Sequence, residues 1–313
     1  MKFIVDTDGG VDDVMALYFL LKSNAEIVGI TCVGGNTHLH HCLNNVTALL
    51  HHLNISCVPV FQGAVQPLTY ELLRCPEFMG EDGLGDTLDE SHRQQVKSWA
   101  AEHQIVHADM DAATFIVDQV VKNQVGIICL GPLTNIAMAI NKCPDIAEKC
   151  SKLVIMGGST RGVGNISEIG EYNFYVDPHA AHICIEKTRW RNPVKLVDWH
   201  LSSIVHGVPF DDMELLLKKN PFLDHISMGL MAKVKAQDKS FPLPDPLCAL
   251  VAILPDHCVK VVKKRIQIET SEGLCRGYSV VDWRDDTQIE DGIHIIQEID
   301  QDSIKRLLQV LSD

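Results

Sequence analysis

The chain has 313 residues, 46% hydrophobic and 22% charged, which argues against disorder and fits a single globular domain over residues 1–313. With 27 Lys plus Arg against 41 Asp plus Glu the formal charge is −14, which argues against a nonspecific binder of nucleic-acid backbones. No apolar run reaches membrane-spanning length, and one Lys with three apolar residues before the first Asp does not make a secretory signal, so a cytoplasmic protein is expected.

Phe3–Leu21 reads as strand, acidic loop and helix. The apolar run Phe3-Ile4-Val5 leads into Asp6, Asp8, Asp12 and Asp13, with Gly9 and Gly10 between them allowing a tight turn. The apolar stretch from Val14 then predicts a buried helix ending around Lys22–Asn24. Carboxylates packed this closely repel one another and resist desolvation. A bound hard cation such as calcium, which takes oxygen ligands, compensates most simply; an acidic surface turn is the plainer alternative.

Ile27–Val33 is a nearly continuous hydrophobic strand, as in a sheet covered on both faces, and runs into Gly34-Gly35-Asn36. A helix from about Leu39 to His52 and a strand near Val58–Phe61 follow. Residues Gln62–Gln95 lose periodicity and read as a functional loop. Asp111–Lys122 is an amphipathic helix, Val125–Leu130 a buried strand, and Gly131–Asn135 turns the chain into another helix. Leu153–Met156 is a strand ending in Gly157-Gly158, followed by a polar loop with Asn165, Glu168, Glu171, Tyr172 and Asn173. Pro178 is placed for a helix start, and Val194–Val197 resumes the sheet.

Residues Ser202–Lys239 read as a helical cap, and Asp245 precedes an apolar helix over Leu247–Leu254. Val259–Thr270 and Gly277–Trp283 predict an antiparallel hairpin, Ile293–Ile299 a strand, and Asp302–Leu311 a closing helix with Asp302 near its cap. The eleven cysteines, without a CxxC pair, read as reduced and mostly buried. The histidines His38, His40, His41, His51 and His52 read as a polar helix face, and Trp99, Trp190, Trp199 and Trp283 as packing residues.

The alternation of strands and helices predicts an α/β fold: a Rossmann-like, mostly parallel central sheet with helices on both faces, a small helical cap and a C-terminal antiparallel hairpin. Ligands of such sheets bind at the carboxyl ends of the strands. Asp8, Asp12, Asp13, Asn36, the Leu130 carbonyl, Asn135, Asn165–Asn173 and Asp245 can all face one crevice there. A metal ringed by Asp, Asn and Glu suits a polyhydroxylated substrate, and the chemistry it offers is water activation. At a sugar anomeric carbon, carboxylates also stabilise an oxocarbenium-like transition state. Asp8 is central and the best candidate base; spacing alone does not separate it from Asp6, which could instead hold loop amides.

The segment Val5-Asp6-Thr7-Asp8-Gly9-Gly10-Val11-Asp12-Asp13 closely resembles the opening signature of the inosine-uridine-preferring nucleoside hydrolase family. The resemblance continues in Gly34-Gly35-Asn36, Gly83-Leu84-Gly85, Gly131–Ala137, Met156-Gly157-Gly158, Gly164-Asn165, Glu171-Tyr172-Asn173, Asp177-Pro178, Asp245-Pro246 and Arg276-Gly277. It implies a calcium-dependent N-ribohydrolase that cleaves a nucleoside to ribose and free base, usually as a homodimer or homotetramer. Asp8 would be general base and, with Asp13, Asp245 and the Leu130 carbonyl, a calcium ligand. Asp12, Asn36, Asn165, Glu171 and Asn173 would hold the ribose, with Met156 beneath the sugar and Tyr172 in the place of a family aromatic.

Three positions depart from the family pattern. Gly9 stands where Pro is usual, which would loosen the loop, and Met79 and Pro244 replace histidines that contact the nucleobase. His206 and His225 are candidates for a substitute leaving-group acid. Two other readings are a nucleoside-binding homologue with little catalysis and a haloacid-dehalogenase-type phosphohydrolase with Asp6 as nucleophile.

Overall fold

The computed structural model describes residues 1–23, 25–236, 240–284 and 292–313. Asn24 and Lys239, at the predicted ends of the first helix and the cap, lie outside them. A nine-stranded sheet forms the centre, in the order β4-β3-β2-β1-β5-β6-β7-β11-β8. Its strands are β1 (Lys2–Thr7), β2 (Glu26–Cys32), β3 (Val60–Gln62), β4 (Val106–His107), β5 (Gly126–Cys129), β6 (Leu153–Met156), β7 (Val194–Val197), β8 (Cys258–Lys264) and β11 (Ile293–Ile299). Strands β9 (Ile266–Ile268) and β10 (Ser279–Val281) form a separate antiparallel pair.

Every ladder of the large sheet is parallel except β8 on β11. Its inner strands are apolar on both sides because helices cover both faces. Within β1, Phe3 and Val5 enter one core with residues of helices Val11–Lys22, Leu39–His52, Pro244–Ile253 and Gln301–Ser312. Ile4 points the other way, into a core with residues of helices Ala112–Asn123, Thr134–Lys142 and Pro178–His182. The chain builds outward from β1 to β4, then returns to β5 beside β1 and builds the other half. The β1/β5 boundary is therefore where strand order reverses, and a crevice opens there at the carboxyl ends.

Several expectations need correction. The predicted C-terminal hairpin is present as β9 and β10, but its first arm is shorter than expected: it divides at Arg265, and β8 covers the open edge of β11 instead. The loop expected through Gln95 stops earlier, at helix Glu90–Glu102. That helix was hidden because it buries only Val96 and Ala100, too narrow a stripe for a visible apolar period. The closing helix is capped by Asp300, which accepts the Ser303 N–H at 3.0 Å, and Asp302 lies near that cap in the first turn, as expected. Helix Pro244–Ile253 starts early enough to carry Asp245 in its first turn.

The cap comprises a π-helical turn at Leu201–Val205 and helices Phe210–Leu217 and Pro221–Lys235. All eleven cysteines are unpaired, with Cys57 and Cys275 exposed. Among the described residues no helix is long and apolar enough to cross a membrane.

Candidate active site

At the end of β1 the chain must turn into helix Val11–Lys22 without stranding its amides. Asp13, in the first helical turn, does this by accepting the Asp8 N–H and the Thr7 hydroxyl on one oxygen and the Gly10 N–H on the other. The loop amides are thus held by Asp13 and not by Asp6. Asp6 lies on the other side of the strand, where one oxygen accepts from the Thr31 hydroxyl and from Asn135 Nδ2 at 2.8 Å. Its other oxygen is buried without a partner among the described residues, and Asp6 does not line the cavity described below, so it offers no nucleophile there and the phosphohydrolase reading falls.

Asp8 is fully buried, wedged between two glycines from neighbouring strand ends. A Cβ on Gly35 would come within 2.0 Å of Asp8 Oδ2, and one on Gly131 within 3.0 Å of Asp8 Cβ. Asn36 clamps the carboxylate from above, its backbone N–H donating at 2.6 Å and its Nδ2 at 3.1 Å.

Asp12, Asp13 and Asp245 bring carboxylate oxygens within 4.8 Å of one another. Burial and then repulsion from Asp13 push Asp12 up to about 7, and the same two causes hold Asp8 and Asp245 well above the usual carboxylate range. Asp12 also keeps a buried Oδ1 without a hydrogen-bond partner among the described residues. Uncompensated buried charge, an orphaned oxygen and an all-oxygen donor set fit a hard cation of the calcium or magnesium class. The triad holds two of the expected ligands, Asp13 and Asp245, together with Asp12, and Asp8 stands beside them facing Asn36.

Above the cluster is a cavity of about 340 Å³, within the range of small-molecule sites. Asp12, Asn36, Leu130 and Asp245 border it on the β1/β5 side, and Met156, Asn165, Glu171, Tyr172 and Asn173 on the β6 side. Asp8 and Asp13 are not part of its lining. Glu171 caps the short helix Tyr172–Val176, accepting the N–H groups of Asn173, Phe174 and Gly158. Asn173 Nδ2 donates to the Leu130 carbonyl at 2.7 Å and to Met156 Sδ at 3.2 Å, so the β5 and β6 ends are tied together. Asn165 Oδ1 accepts the Tyr172 N–H at 2.8 Å, and the Tyr172 hydroxyl donates to the Leu73 carbonyl at 2.7 Å, pinning the irregular segment to the site.

The family described as inosine-uridine preferring nucleoside hydrolase matches residues 3–306. The chain belongs to that family. It is 35% identical over 294 residues to uridine nucleosidase 1 of Arabidopsis thaliana, covering 90% of this chain and 82% of that one. It is 30% identical over 290 residues to the inosine-uridine preferring nucleoside hydrolase of Leishmania major, covering 90% of this chain and 88% of the other. Among solved structures, the purine-preferring ribonucleoside hydrolase from Gardnerella vaginalis superposes with a TM-score of 0.84 at 26% identity, over 100% of this chain and 98% of that one. The protein is thus an enzyme of the N-ribohydrolase class; the relatives' names scatter over uridine, inosine and purines.

Much of the rest of the hydrolase's cavity comes from residues to which the sequence reading gave no role in the site, among them Phe78, Trp199, Ser203, Ile204, Leu230, Val234 and Pro242. Trp199, expected as a packing residue, borders the cavity, and its place just past the carboxyl end of β7 was the available signal. The cap residues carried no such signal, since their apolar faces are those of any packed helix. Neither candidate acid reaches the cavity. His206 is buried with its Nε2 accepting the Ile299 N–H at 3.0 Å, and His225 Nε2 lies 2.9 Å from the Thr87 carbonyl. Met79 and Pro244 do line the cavity, as the alignment of motifs implied.

Proposed function

We propose that this hydrolase cleaves the N-glycosidic bond of ribonucleosides to ribose and free base in a calcium-dependent reaction, with Asp8 as general base. One observation carries the reading: carboxylates and carboxamides from the ends of β1, β2 and β6 and from helix Pro244–Ile253 converge on one cavity at the switch point of the sheet, while Asn135, past β5, turns away to Asp6. Calcium would be held by Asp8, Asp13, Asp245 and the Leu130 carbonyl, with Asp12 adjoining, and when bound it lowers the pKa of water and offsets the buried charge.

Asp8 accepts the proton that the attacking water loses, and Asn36, Gly35 and Gly131 keep its carboxylate in place for that transfer. Asp12, Asn36, Asn165, Glu171 and Asn173 supply donors and acceptors for the ribose hydroxyls, and Met156 and Tyr172 give the sugar an apolar bed. As the C1′–N bond lengthens, the nearby carboxylates stabilise the positive charge on the sugar. Asp8→Asn should retain the fold and lower kcat by at least ~10²-fold, the scale of a general base, measured as ribose release from a nucleoside panel with calcium present. Full activity in that variant would remove Asp8 from the role; no ribose release by the wild type would favour a nucleoside-binding protein, the reading prompted by Met79 and Pro244.

A further inference from the structure

Arg276-Gly277 belongs to the family motifs, yet neither residue lines the cavity. Both act on the short helix Tyr172–Val176, whose first residues do line it. Five residues make little more than one turn, too few to hold themselves in place, so the positions of Asn173 and of the cap Glu171 depend on what grips the helix from outside. At the N-terminal end the grip is Glu171 itself.

At the other end the last carbonyls need partners from elsewhere. Arg276 supplies them: Nε donates to the Tyr175 carbonyl at 2.8 Å and Nη2 to the Val176 carbonyl at 3.2 Å, a cation at a helix C-terminus. The planar guanidinium also lies between two rings, its carbon 3.7 Å from the centre of Tyr70 and 4.6 Å from that of Tyr175. Gly277 brings the loop between β9 and β10 up to the same backbone. Its φ is 74°, and a Cβ there would come within 2.5 Å of Tyr175 N and Cα. The irregular segment after β3 joins them, because the Tyr70 hydroxyl donates to the Thr270 carbonyl at 2.8 Å and Asp177, one residue past the helix, accepts the Leu68 N–H at 2.9 Å. Among the described residues both guanidinium hydrogen bonds of Arg276 go to this helix and none to the sheet.

We propose that Arg276 is a positioning residue for the sugar side of the cavity: it fixes helix Tyr172–Val176 from its C-terminal end and thereby the places of Glu171 and Asn173. This rests on the hydrolase reading above, in which those two side chains hold the ribose. Arginine is required rather than any cation, because its planar fork reaches two successive carbonyls while stacking on Tyr70. A lysine ammonium keeps the charge and loses the fork.

The test is a cycle of Arg276→Lys, Asn173→Ala and the double variant, each supplied with calcium and followed by ribose release from uridine and inosine, with urea midpoints to check folding. Arg276→Lys should raise KM by ~10-fold or more, the scale of a lost charge-assisted hydrogen bond, with kcat within a few-fold of wild type. Inhibition by free ribose should weaken in parallel. In the Asn173→Ala background the same substitution should cost clearly less, because one side chain that it positions is already gone. An effect of equal size in both backgrounds, an unchanged KM, or a fall in kcat alone overturns the inference and leaves the hydrolase intact. If Arg276→Lys does not fold, Tyr70→Leu, which removes one stacking face and keeps both hydrogen bonds, goes through the same cycle with the same deciding outcomes. Absence of ribose release by the wild type overturns the hydrolase reading, and this inference with it.

Discussion

Asp8 reaches its place through what its neighbours lack as much as through what they offer. Gly35 and Gly131 leave room for its carboxylate, and Asn36 supplies both donors that orient it. That an Asp would sit here was legible, because the acidic loop and both glycine turns follow apolar strands. That Asn36 would hold Asp8 was not, since the contact joins residues from separate strands. His206 shows the same limit: a histidine in an apolar stretch looks available for chemistry until its partner, the Ile299 N–H, is seen. Burial holds its pKa below the ordinary value of 6.5, so the unfolded chain binds the extra proton first. The resulting stability is present above about pH 6.5 and is lost as pH falls from there through the lower folded value. Urea unfolding of wild type and His206→Gln at pH 7.5 and 5.5 should show a smaller acid-side loss in the variant, whose amide can still accept the Ile299 N–H.

At the scale of elements, the turn between β1 and helix Val11–Lys22 differs from the loosened loop expected for Gly9 in place of Pro. Gly9 has φ of 74°, its carbonyl accepts from Asn45 Nδ2 at 2.8 Å, and a Cβ there would lie 2.7 Å from Cys42 Cα. Asn45 also donates to the Asp82 carbonyl at 2.7 Å, so one side chain fastens the acidic turn to loop 80–86. Proline cannot adopt this φ. Gly9→Pro should therefore destabilise by at least about 1 kcal/mol and lower turnover, read from the urea midpoint and ribose release; an unchanged midpoint would mean that the turn relaxes freely. The buried parallel strands were legible because both faces demand apolar residues. Helix Glu90–Glu102 and the division of the predicted hairpin were not, because each depends on a partner distant in sequence: helix Leu39–His52 for the first and β11 for the second.

For the whole molecule, an ion held by the acidic cluster would make stability depend on what is bound. A ligand that binds only the folded state at 100 times its Kd adds about 2.7 kcal/mol. Calcium should raise the Tm, a chelator should reverse the rise, and Asp245→Asn should remove most of it; an equal response in the variant would place the ion elsewhere. The general position of the site was legible from the order of motifs, since any doubly wound sheet gathers its loops at one end. The cavity wall was not, because apolar residues of the cap look the same in sequence whether they pack on protein or face a ligand. The late arrival of Asp245 has a consequence for biogenesis. A nascent chain can complete β1 to β7 on the ribosome and still lack one member of the triad, because helix Pro244–Ile253 is made afterwards. Until that helix emerges, Asp12 and Asp13 lack the third carboxylate of the cluster, so a site that needs all three cannot form before Asp245 is made.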